Sequence, residues 1–217
     1  MKILMVDDHK VIVSSLAQVL QEELDIATVD CADDYDSAVI TLAQRAFDVA
    51  VVDVDLPTRS GLEFARYCFD QQPECKIVIL TGMLDRRNIE QAMQLGVHGY
   101  LVKTIDPRDL VSCLRLVYRG INVFDEGVSS LLGIAVAGTD GVTDSHTLLS
   151  PQQLRVLRNV ARGMTNKEVA REMGISEKTA RNYLASVFEK LGLQRRSEAA
   201  VWYTQNIGEV PHTLDSA

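Results

Sequence analysis

Four short apolar runs in this chain each stop at a polar residue, and that repetition restricts the fold more than any other feature. Ile3-Leu4-Met5-Val6 runs into Asp7-Asp8, Val49-Ala50-Val51-Val52 into Asp53, Ile77-Val78-Ile79-Leu80 into Thr81, and Tyr100-Leu101-Val102 into Lys103. Short runs that are apolar throughout read as strands buried on both faces. Parallel strands of that kind gather their polar residues at the carboxyl edge, where open α/β sheets hold their ligands.

The rest of the pattern agrees. Strand-like runs near 2–6, 26–30, 48–52, 76–80 and 99–102 alternate with helix-like stretches near 10–23, 34–46, 62–71, 85–95 and 107–119. In the first of those stretches Ile12, Leu16, Val19 and Leu20 recur at three and four and give one buried face. Repeated strand then helix implies right-handed crossovers and a doubly wound, five-stranded parallel sheet. Residues 125–147 break the rhythm with turn and linker composition, Gly138-Thr139-Asp140-Gly141 and Thr143-Asp144-Ser145-His146, after a stretch from Val128 to Ala137 that suits a short helix.

Beyond Leu148 the pattern is helical. Ser150-Pro151-Gln152-Gln153 carries a cap, a first-turn proline and a capping-box glutamine, Thr165 to Glu168 opens a second helix, and Ser176 caps a third after the Gly174 turn. A fourth is expected near 195–206. The chain thus divides into a sheet unit at 1–124, a linker at 125–147, and a four-helix unit containing a helix-turn-helix at 148–217.

Charge follows the same division. Residues 1–147 hold 12 Lys/Arg against 23 Asp/Glu, whereas residues 148–217 hold 10 against 7, so the net −8 hides an acidic part joined to a basic one. A basic surface attracts polyanions that an acidic one repels. The start of the chain lacks the apolar core of a signal peptide, and no later run approaches a membrane span, so a cytoplasmic protein without membrane partners is expected. Cys31, Cys68, Cys75 and Cys113 show no metal-type spacing and are expected as buried thiols.

The strand ends supply the chemistry. Asp7, Asp8 and Asp53 repel one another at close range and need a cation, and few oxygen ligands favour Mg2+. Asp53 then stands where its carboxylate can attack phosphorus, Thr81 can bond a phosphoryl oxygen, and Lys103 can neutralise another. Each residue alone has an ordinary explanation, as helix cap or surface charge. Together at successive strand ends they point to an aspartyl phosphate.

With these motifs, residues 1 to about 120 resemble the receiver domain of bacterial two-component response regulators, a flavodoxin-like fold. The carriers are Asp7-Asp8, Asp53-Val54-Asp55-Leu56-Pro57 with Gly61, Thr81-Gly82, and Tyr100-Leu101-Val102-Lys103. The resemblance implies that Asp53 is the phosphoacceptor, served by Thr81 and Lys103. It implies Mg2+ on Asp8, Asp53 and the backbone carbonyl of Asp55, with Asp7 acting through the metal's shell. It also makes Thr81 and Tyr100 a switch pair, in which Thr81 moves inward and Tyr100 rotates from an exposed to a buried position. A haloacid-dehalogenase-type phosphatase also uses a DxD such as Asp53-Val54-Asp55, but there the DxD ends the first strand and the acidic pair comes last.

Residues 149 to 199 resemble the LuxR-type helix-turn-helix of NarL/FixJ-type regulators, through Gly163-Met164-Thr165-Asn166-Lys167-Glu168-Val169-Ala170, Ile175-Ser176-Glu177-Lys178-Thr179, Lys190-Leu191-Gly192-Leu193 and Arg196-Ser197-Glu198-Ala199. In the third helix, Ala180, Leu184, Val187, Phe188 and Leu191 form the packed stripe. Lys178, Thr179, Arg181, Asn182, Ala185 and Ser186 are left for a major groove, with Arg181 and Asn182 near base edges. Ala185 stands where the family often has a basic residue, and Tyr183 where it often has histidine.

The expected protein is a regulator that takes a phosphoryl group from a sensor histidine kinase, binds promoter DNA and forms a homodimer on phosphorylation, with no catalysis beyond its own phosphorylation and dephosphorylation at Asp53. The competing expectation is a phosphorylation-independent DNA-binding protein that uses its sheet unit for docking or dimerisation.

Overall fold

The structure, a computed structural model, describes residues 1–132 and 149–208. Strands β1 (Lys2–Val6), β2 (Thr28–Ala32), β3 (Val49–Val52), β4 (Lys76–Thr81), β5 (Gly99–Val102) and β6 (Val123–Phe124) form one sheet in the order β2-β1-β3-β4-β5-β6. Every pairing is parallel. Between them run α1 (Lys10–Gln21), α2 (Tyr35–Gln44), α3 (Gly61–Gln71), α4 (Arg86–Leu95) and α5 (Pro107–Tyr118), followed by α6 (Glu126–Leu132).

Successive strand residues face opposite sides of a sheet, and the core divides accordingly. Ile3, Met5, Val49, Val51, Val78, Leu80 and Leu101 pack with α1 and α5, whereas Leu4, Val6, Ala50, Val52, Ile77, Ile79 and Tyr100 pack with α2, α3 and α4. Both faces are covered, which explains why the central strands are apolar throughout.

The structure departs from the sequence reading in three places. A sixth strand is present, too short at two residues to show a period, and held by the pairings Gly99↔Val123 and Tyr100↔Phe124. β2 starts at Thr28 rather than near 26 because it is a half-exposed edge strand with weak alternation. Cys31, on that strand, is exposed, whereas Cys68, Cys75 and Cys113 are buried free thiols. Of the expected 128–137 helix, α6 accounts for the part up to Leu132, and the linker motifs beyond it lie outside the described residues.

The helical unit comprises α7 (Pro151–Ala161), α8 (Asn166–Met173), α9 (Glu177–Leu191) and α10 (Arg196–Asn206). Its caps form as the sequence specifies: Ser150 with Gln153 and Thr165 with Glu168 make capping boxes, and Ser176 accepts from the Thr179 amide. Gly174 ends α8 at φ 66°, a left-handed conformation that glycine adopts without steric cost.

The two units are joined by more than the linker. The core on the α1/α5 face continues into Leu154, Leu157, Val160 and Tyr203. The Phe124 amide donates to the Leu149 carbonyl at 3.1 Å, and the Leu149 amide to that of Asn122 at 3.3 Å. Asp109 of α5 pairs with Arg158 of α7 at 2.7 Å, with side chains only 9% and 16% exposed. Burial pushes the Asp109 carboxyl above its ordinary pKa, against the pull of Arg158.

Arg158→Met leaves a buried carboxylate unpaired and is expected to cost about 3–5 kcal/mol at neutral pH. Because the folded-state pKa of Asp109 is raised, its favourable contribution is complete below the ordinary carboxyl pKa and is lost as pH rises through the folded value. The deficit of the variant in urea unfolding should therefore shrink on acidification. A deficit independent of pH would contradict this assignment.

Candidate functional site

β1 and β3 are neighbours in the register Val6↔Val52, so the residues that follow, Asp7 and Asp53, stand side by side. The Asp53 amide donates to the Val6 carbonyl at 2.8 Å. β2 flanks β1 on one side and β3 on the other, which is the switch point where such sheets open a crevice. Gly61 lets α3 begin close behind: a Cβ there would fall 1.7 Å from the Asp53 carbonyl oxygen.

Lys103 reaches in from the end of β5, two strands away from β3. Its Nζ lies 2.7 Å from Asp7 Oδ2 and 2.7 Å from Asp53 Oδ2, and its side chain is 8% exposed. Burial works against the ammonium charge, but hydrogen bonds and attraction to Asp53 and Asp7 outweigh it and hold the Lys103 pKa above its ordinary value. Burial also pushes the Asp53 carboxyl up, an effect that Lys103 opposes and Asp7 reinforces. Asp53 Oδ1 has no hydrogen-bond partner among the described residues. One oxygen is thus held by the lysine while the other is free to ligate or react.

His9 completes the cluster and was not foreseen from the sequence, although its position directly after the acidic pair was a signal. Its Nδ1 lies 2.7 Å from Asp8 Oδ1 and 3.1 Å from Asp7 Oδ1. Asp7, Asp8, His9 and Asp53 offer ligand atoms all within 4.8 Å of one another. Asp53 Oδ1 is buried without a hydrogen-bond partner among the described residues, and Asp8 Oδ1 meets the His9 ring beside it, so the donor set fits a divalent cation. Asp55 is exposed at the rim.

Thr81, at the end of β4, is buried, and its Oγ1 donates to the Met83 carbonyl at 3.1 Å rather than toward Asp53. Tyr100 departs from its expected exposed starting position. It is fully buried, with Ile89, Ala92, Phe124 and Val128 in the same cluster, because α4, β6 and α6 already cover that part of β5. Its hydroxyl has no partner among the described residues, and burial pushes its pKa up to about 12, with the charges of Asp85, Asp55 and Asp53 adding.

In the helical unit, Ala180, Leu184 and Val187 of α9 are buried, as the spacing predicts. The six residues expected on the opposite face fall into two stripes. Lys178, Arg181, Asn182 and Ala185 are exposed, with Arg181 Nη2 donating to Glu177 at 3.2 Å. Thr179, Asn182 and Ser186, with Tyr183, line a cleft of about 440 Å³ whose other wall is Phe124, Glu126 and Ser130. Glu126 closes that cleft, accepting from Tyr183 Oη at 3.0 Å and Ser150 Oγ at 3.1 Å. Burial pushes the Tyr183 pKa up to about 12, and the Glu126 bond and charge reinforce it.

Lys103→Met removes the cation between two buried carboxylates and is expected to destabilise the chain by about 3–5 kcal/mol in urea unfolding. Mg2+ should recover more stability in this variant than in the native chain. An unchanged unfolding midpoint would contradict the role given to Lys103.

Residues 3–115 match the family model described as response regulator receiver domain, and residues 147–203 that of bacterial regulatory proteins, luxR family. The DNA-binding transcriptional activator DevR/DosR of Mycobacterium tuberculosis is 31% identical over 94% of this chain and 94% of its own length. The oxygen regulatory protein NreC of Staphylococcus carnosus is 31% identical over 91% of this chain and 94% of its own. Among solved structures, RcsB of Salmonella enterica serovar Typhimurium, bound to a promoter with phosphomimetic BeF3−, superposes with a TM-score of 0.57 at 22% identity, covering 93% of this chain and 97% of that one. Two matches in this order, and relatives aligned almost end to end, mean that the chain belongs to the DNA-binding response regulators that join a receiver domain to a LuxR-type helix-turn-helix.

Proposed function

We propose that Asp53 accepts a phosphoryl group from a partner histidine kinase and that this modification governs how α9 meets DNA. The observation that carries the reading is the unequal state of the two Asp53 oxygens, one held by Lys103 at 2.7 Å and the other without a partner among the described residues. Attack by the free oxygen forms an O–P bond as the bond from phosphorus to the donor breaks. Lys103 then faces the charge that arrives, and Thr81 can exchange the Met83 carbonyl for a phosphoryl oxygen. Asp8, Asp53 and the Asp55 carbonyl would hold Mg2+, with Asp7 in its outer shell, and the ion would offset charge on the transferring phosphoryl group. Any catalysis is confined to this self-modification.

The route from Asp53 to α9 is short. Thr81 is tied to Met83, and Leu84 beside it packs so tightly on α6 that a Cβ on Gly127 would fall 2.3 Å from Leu84 Cδ1. The residue before Gly127 is Glu126, which bonds Tyr183 and Ser150. A shift of the Thr81–Leu84 turn would thus press on α6 and loosen the cleft that Thr179, Asn182 and Ser186 line. This path replaces an exposed-to-buried rotation of Tyr100, since that ring is already inside.

Freed, Lys178, Thr179, Arg181, Asn182, Ala185 and Ser186 would present one face to a major groove. A single small module makes few phosphate contacts, so a homodimer on promoter DNA is the expected active form. RcsB, in the structure above, binds promoter DNA with the phosphomimetic present, which supports the same order of events here. Among the described residues no helix is long and apolar enough to cross a membrane, and a DNA target accords with a cytoplasmic location.

Genome-wide footprinting of the native chain and an Asp53→Ala form tests the reading. Occupancy of most native sites should fall in the variant. Equal occupancy in both would favour a receiver domain that serves only for docking or dimerisation.

A further inference from the structure

His9 takes no part in the phosphoryl chemistry proposed above, yet its Nδ1 lies 2.7, 3.1 and 3.9 Å from oxygens of Asp8, Asp7 and Asp53. An octahedral ion with ligands at about 2.1 Å sets neighbouring ligand atoms about 3.0 Å apart and opposite ones about 4.2 Å apart. The distances to Asp8 Oδ1 and Asp7 Oδ1 fall in the neighbouring range, whereas the 3.9 Å distance is to Asp53 Oδ2, the oxygen that Lys103 holds. Lys103 occupies Oδ2 of both Asp7 and Asp53 and stands 3.4 Å from His9 Nδ1, so the cation side of the cluster is defined by the remaining atoms. Those are Asp53 Oδ1, which has no hydrogen-bond partner among the described residues, and Asp8 Oδ1, which faces the imidazole nitrogen at 2.7 Å, together with that nitrogen itself. Asp53 is 2% exposed, so its free oxygen is a buried group in want of a partner.

We infer that His9 is a nitrogen ligand that lets this site take divalent transition ions such as Ni2+, Co2+ or Zn2+ in preference to Mg2+. The inference rests on the reading that the acidic cluster holds a divalent cation. Mg2+ is hard, keeps its waters and gains little from imidazole, whereas nitrogen donors favour the later first-row ions. The His9 side chain is 57% exposed, so the ring is free to leave the site to oxygen ligands when Mg2+ binds. A transition ion bound through His9 would compete with Mg2+ at the phosphoacceptor itself, making the site responsive to metal supply.

Calorimetric titration of the full chain with Mg2+ and with Ni2+, at one fixed pH above the imidazole range, tests this with binding as the readout. The chain has 4 histidines, so Ni2+ binding that persists in Asp8→Asn is assigned elsewhere and subtracted. His9→Gln is expected to weaken the remaining Ni2+ binding by at least about tenfold while Mg2+ affinity stays within about threefold. Ni2+ affinity unchanged in His9→Gln, or Ni2+ and Mg2+ affinities falling together, would overturn the His9 assignment and leave the cation reading standing. Absence of Mg2+ binding by the native chain would instead overturn the cation reading and the inference with it.

Discussion

An ammonium group between two buried carboxylates is the interaction on which the rest of this molecule depends. Parallel pairing puts Asp7 and Asp53 side by side at the ends of β1 and β3, where burial and mutual repulsion both oppose their charge. Lys103, arriving from β5, makes the arrangement tolerable by bonding one oxygen of each. Because it satisfies only one, the other Asp53 oxygen remains available. A site that is stable at rest and still short of one partner is the physical basis of the phosphoryl acceptance proposed for Asp53.

The same economy recurs where the receiver domain meets the helical domain. The core runs on across the junction, and Asp109–Arg158 fixes α5 to α7 without touching the DNA face. Among the described residues, Glu126 alone hydrogen-bonds the expected recognition helix from the receiver side, through Tyr183. Firm attachment at one end and a slender polar contact at the other suit a hinge that keeps the domains together while α9 is released. Such an element would couple the two sites in the way proposed, because each would bias the same contact.

The parts legible in the sequence were those set by local pattern. Apolar runs in a parallel sheet fix where strands end, and so Asp7, Asp53, Thr81 and Lys103 could be named from spacing. The caps at Ser150, Thr165 and Ser176 follow from a few neighbouring residues. The buried state of Tyr100 depends on how much β6 and α6 cover β5, and β6 is too short to carry a period. His9 is directed by the acids around it rather than by its own segment. Glu126 and Tyr183 are 57 positions apart, and no periodicity in either stretch pairs them.

The central claim is that Asp53 reaches α9 through Glu126, and a four-way comparison of DNA affinity tests it most directly. Native chain and Glu126→Ala, each with and without beryllofluoride, would be titrated at constant salt with a fragment taken from a footprinted site. The account predicts that beryllofluoride tightens binding by the native chain about fivefold or more. It also predicts that Glu126→Ala binds tightly from the outset and gains little further. Weak binding by Glu126→Ala with the same gain as the native chain would contradict it.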